Sequence, residues 1–189
     1  MTALCFIDTE TTGLDPRIHQ PYEVAWWLED EPEPRSAWLA HDLAHADTKA
    51  LEIGGYWRRK AYAAQDGGWM FTESPRSLAI VLEGATLVGS NPAFDAAMLT
   101  RYIGAPIWHH RLIDVSAAGM WVFGLDRPEG LAGTALRCRA EGYDIPEPDH
   151  TAEGDVRTTR AVYEALRELR HAQLVGAHSE SHDKPAEEA

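Results

Sequence analysis

The chain has 189 residues, of which 44% are hydrophobic and 25% are charged, and this composition is typical of a globular protein with a single domain. No apolar run approaches the roughly 20 residues that span a bilayer, and the first residues lack the pattern of a secretory signal, so no membrane partner is expected. The net charge of −13 disfavours partners that make many phosphate contacts, but not a small site at which metal ions supply positive charge.

The first part of the chain contains the pattern of three strands. An apolar run at residues 3–7 predicts a buried strand, which leads into two carboxylates and a hydroxyl-rich turn. Two further runs, at 22–28 and 36–40, flank an acidic connection that contains proline. This arrangement predicts an antiparallel hairpin.

The remaining residues alternate between helical and strand patterns. Helices are predicted at residues 46–53, 74–82, 92–102, 131–140 and about 155–170, and strands at 86–89 and 112–115. This order predicts an α/β fold with a five-stranded mixed sheet, antiparallel early and parallel late, flanked by helices. The helical period stops at His171, so residues 1–171 are predicted to form the domain and 172–189 a flexible C-terminal tail.

Two carboxylates stand one residue apart where the first strand ends. Because side chains alternate along a strand, Asp8 and Glu10 are expected to point to the same face. Adjacent anions resist joint ionisation, and a hard divalent cation is the simplest compensation. Taken alone, the pair is explained equally well by a strand that ends in solvent.

Two later segments place further carboxylates at the starts of helices. Asp95 falls in the first turn of the helix that follows the fourth strand, and Asp155 starts the last helix, five residues after His150. Taken singly, each Asp is best explained by the favourable interaction of an acid with a helix N-terminus. A metal site would use the same positions.

Together these residues resemble the three motifs of the DEDDh 3′–5′ exonucleases, the DnaQ-like branch of the ribonuclease H-like superfamily. The matching residues are Asp8 and Glu10, Asp95 within Asn-x-x-Phe-Asp, and His150 with Asp155. The resemblance spans residues 3 to about 170. It implies a ribonuclease H-like fold and an exonuclease that releases nucleoside monophosphates from the 3′ end of single-stranded DNA or RNA.

The resemblance also implies a role for each matched residue. The carboxylates Asp8, Glu10, Asp95 and Asp155 would hold two divalent cations, Mg²⁺ or Mn²⁺, and His150 would be the general base. The residues expected to hold the terminal nucleotide are Thr9, Thr11, Thr12, Gly13, Leu14, Asn91 and Phe94. For Phe94 a position in the core is an equally good explanation.

The second motif departs from the family pattern. Ser90-Asn91-Pro92 stands where many relatives have His-Asn-Ala. The difference bears on substrate contacts and not on metal binding, because Asp95 is retained. Tyr56-Trp57-Arg58-Arg59-Lys60 is the only run of three basic residues, and a solvated face is favoured over a substrate-facing role. Most tryptophans are expected in the core, with Trp57 and Trp69 as the leading exceptions.

Two rival functions would share some of these sequence features. A phosphatase with an aspartate nucleophile is disfavoured, because Glu10 replaces the second Asp and no Lys lies between Lys60 and Lys184. A non-catalytic oligonucleotide-binding module of the same fold is the alternative function. The chain has two cysteines, which do not form a disulfide framework, and this fits a protein of the reducing cytoplasm. The sequence does not decide between DNA and RNA as the substrate. It also does not decide whether the chain has a polymerase partner or forms a homodimer.

Overall fold

A mixed sheet of five strands forms the centre of the fold. In a computed structural model of the chain, the structure describes residues 2–59 and 73–182, with side chains as far as residue 175. The strands are β1 (Leu4–Thr11), β2 (Pro21–Leu28), β3 (Arg35–Trp38), β4 (Thr86–Gly89) and β5 (Ile113–Asp114). Their order is β3-β2-β1-β4-β5. The pairs β1–β2 and β2–β3 are antiparallel, and β1–β4 and β4–β5 are parallel, which confirms the predicted mixed sheet.

Helices cover both faces of this sheet. They are α1 (Thr48–Ile53), α2 (Pro75–Leu82), α3 (Pro92–Ile103), α4 (Val115–Phe123), α5 (Leu131–Ala140) and α6 (Ala152–His182). Residues 56–59 are also helical. Within the described ranges, no helix combines the length and the apolar character that crossing a membrane requires.

Helices α4 and α6 depart from the boundaries that the sequence predicts. Helix α4 was missed, because it is almost wholly apolar and shows no polar face, and its first residue was assigned to the preceding strand. The Asp114 carboxylate caps it by accepting the backbone N–H groups of Ser116 and Ala117. Helix α6 runs to His182, well past the predicted end near residue 170. The flexibility predicted for residues 172–189 stays a prediction.

The alternation of side chains along β1 divides the core into two layers. Phe6 packs in one layer with residues of α4, α5 and α6, including Val115, Leu131 and Val156. Its neighbours Cys5 and Ile7 pack in the other layer, against α2 and α3. Asp8 and Glu10 have the same parity as Phe6, so their side chains lie on the α6 side of the sheet. Both cysteines are buried and unpaired.

The second half of β1 extends beyond its parallel neighbour. β1 pairs with β4 only from Leu4 to Phe6, and α3 begins three residues after β4 ends. The start of α3 therefore comes to lie beside residues 8–10 of β1. Binding sites in open α/β sheets form at such carboxyl ends of strands.

Candidate active site

Three carboxylates from two elements meet at the carboxyl end of β1. One oxygen each from Asp8, Glu10 and Asp155 lies within 4.8 Å of the others. Asp8 and Glu10 share a face of β1, and Asp155 is in the first turn of α6, which packs across that face. An all-oxygen set of this kind suits a hard divalent cation.

Asp95 is the fourth acid, and it reaches the site from the other side of the sheet. Its side chain lies in the first turn of α3 and is almost fully buried. The Thr9 hydroxyl donates a 2.7 Å hydrogen bond to Asp95 Oδ1, which ties α3 to β1. Asp95 is not among the three mutually close carboxylates, but its charge acts on Asp8.

Burial and mutual repulsion raise the pKa values of the acids of this site. Desolvation raises the pKa of Glu10 to about 8 and that of Asp95 to about 7. The pKa of Asp8 lies well above its usual value, first through burial and then through repulsion by Asp95, Asp155 and Glu10. Burial also raises the pKa of Asp155. A bound cation would supply opposite charge directly at these oxygens.

His150 sits in a strained loop that leads into α6. It is exposed, and its φ of 59° is in the left-handed region, which is uncommon for a residue with a side chain. The loop is fixed by its neighbours: the Asp149 N–H donates to Asp155 Oδ1 at 3.0 Å, and the Gly154 N–H donates to Thr151 Oγ1 at 3.0 Å. The backbone conformation of His150 is therefore set by the same residue, Asp155, that joins the carboxylate cluster.

The turn after β1 uses its hydroxyl groups internally. Thr11 donates to the Gly13 carbonyl at 2.8 Å, and Thr12 accepts the Gln20 N–H at 2.9 Å. A Cβ on Gly13 would lie 2.5 Å from the His19 ring, so only glycine fits this close approach. Leu14 is 80% exposed beside this turn. Of these side chains, Leu14 is the exposed one.

Asn91 and Phe94 precede Asp95 at the start of α3. Asn91 is exposed, adopts φ 62° and ψ 53°, and makes no side-chain capping hydrogen bond to α3. Phe94 is half-buried. Phe94 thus lies between the core and the surface, and Asn91 lies at the surface at the start of the helix that carries Asp95.

Sequence reasoning missed an ion pair next to Glu10. Glu23 lies directly opposite Glu10 in the β1–β2 register and forms an ion pair with Arg59. The signal was present, because a Glu stands between Tyr22 and Val24 in an otherwise apolar strand. Trp57, two residues before Arg59, is 61% exposed, as expected. Trp69 lies outside the described residues.

Solved structures of other proteins share the fold of this chain. No family model and no curated protein sequence matches the chain. The zinc-bound complex of Escherichia coli exonuclease I with single-stranded DNA matches with a TM-score of 0.64 and 18% identity, over 94% of this chain and 42% of that one. The chain shares its fold with the matched part of exonuclease I. This finding confirms the predicted fold class.

Two more solved structures give the same result. The complex of E. coli exonuclease I with a dA16 oligonucleotide matches with a TM-score of 0.64 at 18% identity, over 92% of this chain and 42% of that one. Exonuclease I from Methylocaldum szegediense matches with a TM-score of 0.53 at 18% identity, over 89% and 41%. The present chain thus spans less than half the length of these enzymes.

Proposed function

We propose that this chain is a metal-dependent 3′–5′ exonuclease, which releases nucleoside monophosphates from the 3′ end of single-stranded DNA or RNA. The observation that carries the proposal is the convergence of Asp8, Glu10 and Asp155 within 4.8 Å on the α6 face of β1. The exonuclease fold and the nearby Asp95 and His150 support it.

The residues of the site fit divalent cations. All donors are carboxylate oxygens, which Mg²⁺ and Mn²⁺ prefer. Burial disfavours the ionised acids in the absence of a cation, and two dications would balance the four charges of Asp8, Glu10, Asp95 and Asp155. Bound divalent cations supply charge neutralisation at the scissile phosphate and acidify water.

His150 has the chemistry of a general base. An imidazole can accept a proton from water, and this side chain is exposed in the loop that leads into α6, five residues before Asp155. We assign His150 the role of taking the proton from the attacking water.

The substrate is expected to be a single strand that enters by its 3′ end. Exonuclease I, whose fold this chain shares, forms complexes with single-stranded DNA. The exposed Leu14 would contact the terminal base, Asn91 and Phe94 would line the pocket, and the backbone around Thr11 would meet the 3′ hydroxyl. The net charge of −13 favours short strands over long duplexes.

A polarity assay tests the proposal. Single-stranded DNA and RNA oligonucleotides of equal sequence, labelled at the 5′ end, are incubated with Mg²⁺, Mn²⁺ or EDTA. We expect a ladder of labelled products that shortens from the 3′ end only when a cation is present. Asp155→Asn should abolish the ladder, whereas the exposed Asp126→Asn should not.

The same assay separates the enzyme from a non-catalytic binding module. A module would retain the labelled oligonucleotide in a filter-binding measurement and release no product with either cation. That result, obtained with protein that is free of contaminating nucleases, would overturn the proposed function.

A further inference from the structure

Glu23 occupies a central position among the elements that build the site. Glu23 pairs with Glu10 in the β1–β2 register, so the two carboxylates lie side by side on one face of the sheet. Like charges in such a pair destabilise a sheet. The backbone N–H of Ala152, the first residue of α6, interacts with the Glu23 carboxylate and favours its ionised form. Glu23 thus links β2 to the start of the helix that carries Asp155.

Arg59 contacts both sides of this arrangement. Its Nη1 pairs with Glu23 Oε2, and both side chains are largely buried. Its Nε donates to the Gly54 carbonyl at 2.8 Å. Gly54 in turn lies against Glu10, because a Cβ built on it would be 2.6 Å from Glu10 Oε2. One guanidinium therefore holds the partner of Glu10 and the turn that packs against Glu10.

Arg59 is a largely buried cation. Its Nη2 is buried and has no hydrogen-bond partner within the described part of the chain, which is an unfavourable state for a guanidinium donor. Its Cζ atom lies 5.5 Å from the centroid of the Trp38 ring, and this contact favours the charged guanidinium at that position. A cation that is buried beside a carboxylate cluster interacts electrostatically with that cluster.

We infer that Glu23 and Arg59 are a positioning pair for the proposed phosphodiester hydrolysis. The pair fixes the Glu10 carboxylate and the start of α6 relative to each other, so that Asp155 and the His150 loop face Asp8 and Glu10 in the productive arrangement. The inference rests on the proposed function. Neither residue is assigned contact with the substrate.

Three substitutions and one control test the pair. Arg59→Met removes the charge and keeps most of the length, Arg59→Lys keeps the charge without the planar fork, and Glu23→Gln keeps an acceptor for the Ala152 N–H without the charge. Arg137→Met is the matched control, because Arg137 on α5 pairs with Glu129, which precedes that helix, through two 2.8 Å hydrogen bonds. For each protein, kcat and KM are measured on a 5′-labelled single strand, together with Tm and Mn²⁺ affinity by electron paramagnetic resonance.

The expected result separates positioning from folding. Arg59→Met lowers kcat about 10- to 100-fold, because small misplacements of reacting groups have effects of this size. KM changes by less than about twofold, since the pair does not touch the substrate. Mn²⁺ affinity without substrate stays equal or increases, because a neighbouring cation has been removed. Arg59→Lys recovers part of kcat, Glu23→Gln behaves like Arg59→Met, and Arg137→Met has the kcat of the wild type.

Other outcomes overturn the inference in distinguishable ways. If the wild type cleaves and both Arg59→Met and Glu23→Gln keep its kcat, the pair has no positioning role, although the proposed function stands. If kcat, Tm and Mn²⁺ affinity all fall together in Arg59→Lys and Glu23→Gln, the role is structural only. If the wild type releases no nucleotide with either cation, the proposed function fails and the inference fails with it.

Discussion

The Thr9 hydroxyl donates a 2.7 Å hydrogen bond to Asp95 Oδ1 and joins the two layers that hold the site. Thr9 lies between Asp8 and Glu10 on β1, but its side chain points to the opposite face. Its contact with Asp95 therefore brings α3 to the strand from the side away from α6. Desolvation raises the pKa of Asp95, and this hydrogen bond opposes that shift.

Replacing Thr9 by Val should impair catalysis more than folding. The change keeps the shape, removes the donor and leaves Asp95 Oδ1 buried without its partner, at an expected cost of about 1–3 kcal/mol in the free energy of unfolding. The pKa of Asp95 rises further, so the pH dependence of kcat/KM should move to higher pH. Thr134→Val, at a buried hydroxyl that bonds only the Gly130 carbonyl, is the control. An unchanged pH profile in Thr9→Val would contradict the role of the hydrogen bond.

The metal-free protein should lose stability as the pH rises. Glu10 and Asp95 have folded-state pKa values of about 8 and about 7, above their ordinary values of 4.5 and 3.8. Between these limits the folded state binds more protons than the unfolded state, so the free energy of unfolding decreases with pH. The stabilisation is complete below about pH 4 and is lost as the pH passes through about 8.

Chemical denaturation in EDTA from pH 5 to pH 9 measures this slope. Asp95→Asn should make the slope shallower, because one of the responsible groups is removed. Saturating Mn²⁺ should flatten or reverse the slope, since the cation competes with protons for the same oxygens. A free energy of unfolding that is constant or increases with pH in EDTA would show that the carboxylates ionise freely in the folded protein.

Gly54 should tolerate no side chain. A Cβ there would lie 2.1 Å from Tyr22 Oη and 2.6 Å from Glu10 Oε2, although the backbone φ of −71° is accessible to any residue. Gly54→Ala should therefore displace Glu10, lower Mn²⁺ affinity and cost about 1–3 kcal/mol of stability through overpacking. Gly130→Ala meets no atom within 4 Å and should keep the affinity of the wild type. Equal Mn²⁺ affinities in both variants would disprove the contact.

Local patterns were sufficient to predict the mixed sheet and the shared face of Asp8 and Glu10. The apolar run before Asp8 and the Pro-started helix before Asp95 are short-range signals, and the alternation of side chains along a strand predicts that Asp8 and Glu10 share a face. Helix α4 was missed because a helix that is apolar on all sides has no period to detect. The end of α6 was missed for a related reason, since residues 171–175 are exposed and continue no core-facing stripe.

Long-range pairing explains what the sequence did not show at the site. The place of Glu23 opposite Glu10 depends on the β1–β2 register, and the approach of Arg59 depends on the packing of the segment after α1. The internal hydrogen bonds of Thr9, Thr11 and Thr12 likewise involve residues that become neighbours only in the folded chain. A motif identifies these side chains, but it does not show which of them already form hydrogen bonds within the protein.

His150→Gly should separate the function of the imidazole from the conformation of its loop. Glycine adopts the left-handed backbone at φ 59° without steric strain, so the free energy of unfolding should stay within about 1 kcal/mol of the wild type. Loss of the general base should lower kcat about 10²- to 10⁴-fold, with little change in Mn²⁺ affinity. His45→Ala, at an exposed loop position, should keep the kcat of the wild type.

Chemical rescue then tests the assignment directly. Added imidazole should restore part of the activity of His150→Gly, and the restored rate should follow the concentration of neutral imidazole as the pH is varied. His150→Ala should show a similar kcat but lower stability, because alanine is strained at this φ. If imidazole has no effect while His150→Gly is folded and binds Mn²⁺ normally, His150 acts through the loop and not as a base. The proton acceptor would then have to be sought among the buried carboxylates, of which Glu10 has a pKa of about 8 in the metal-free site.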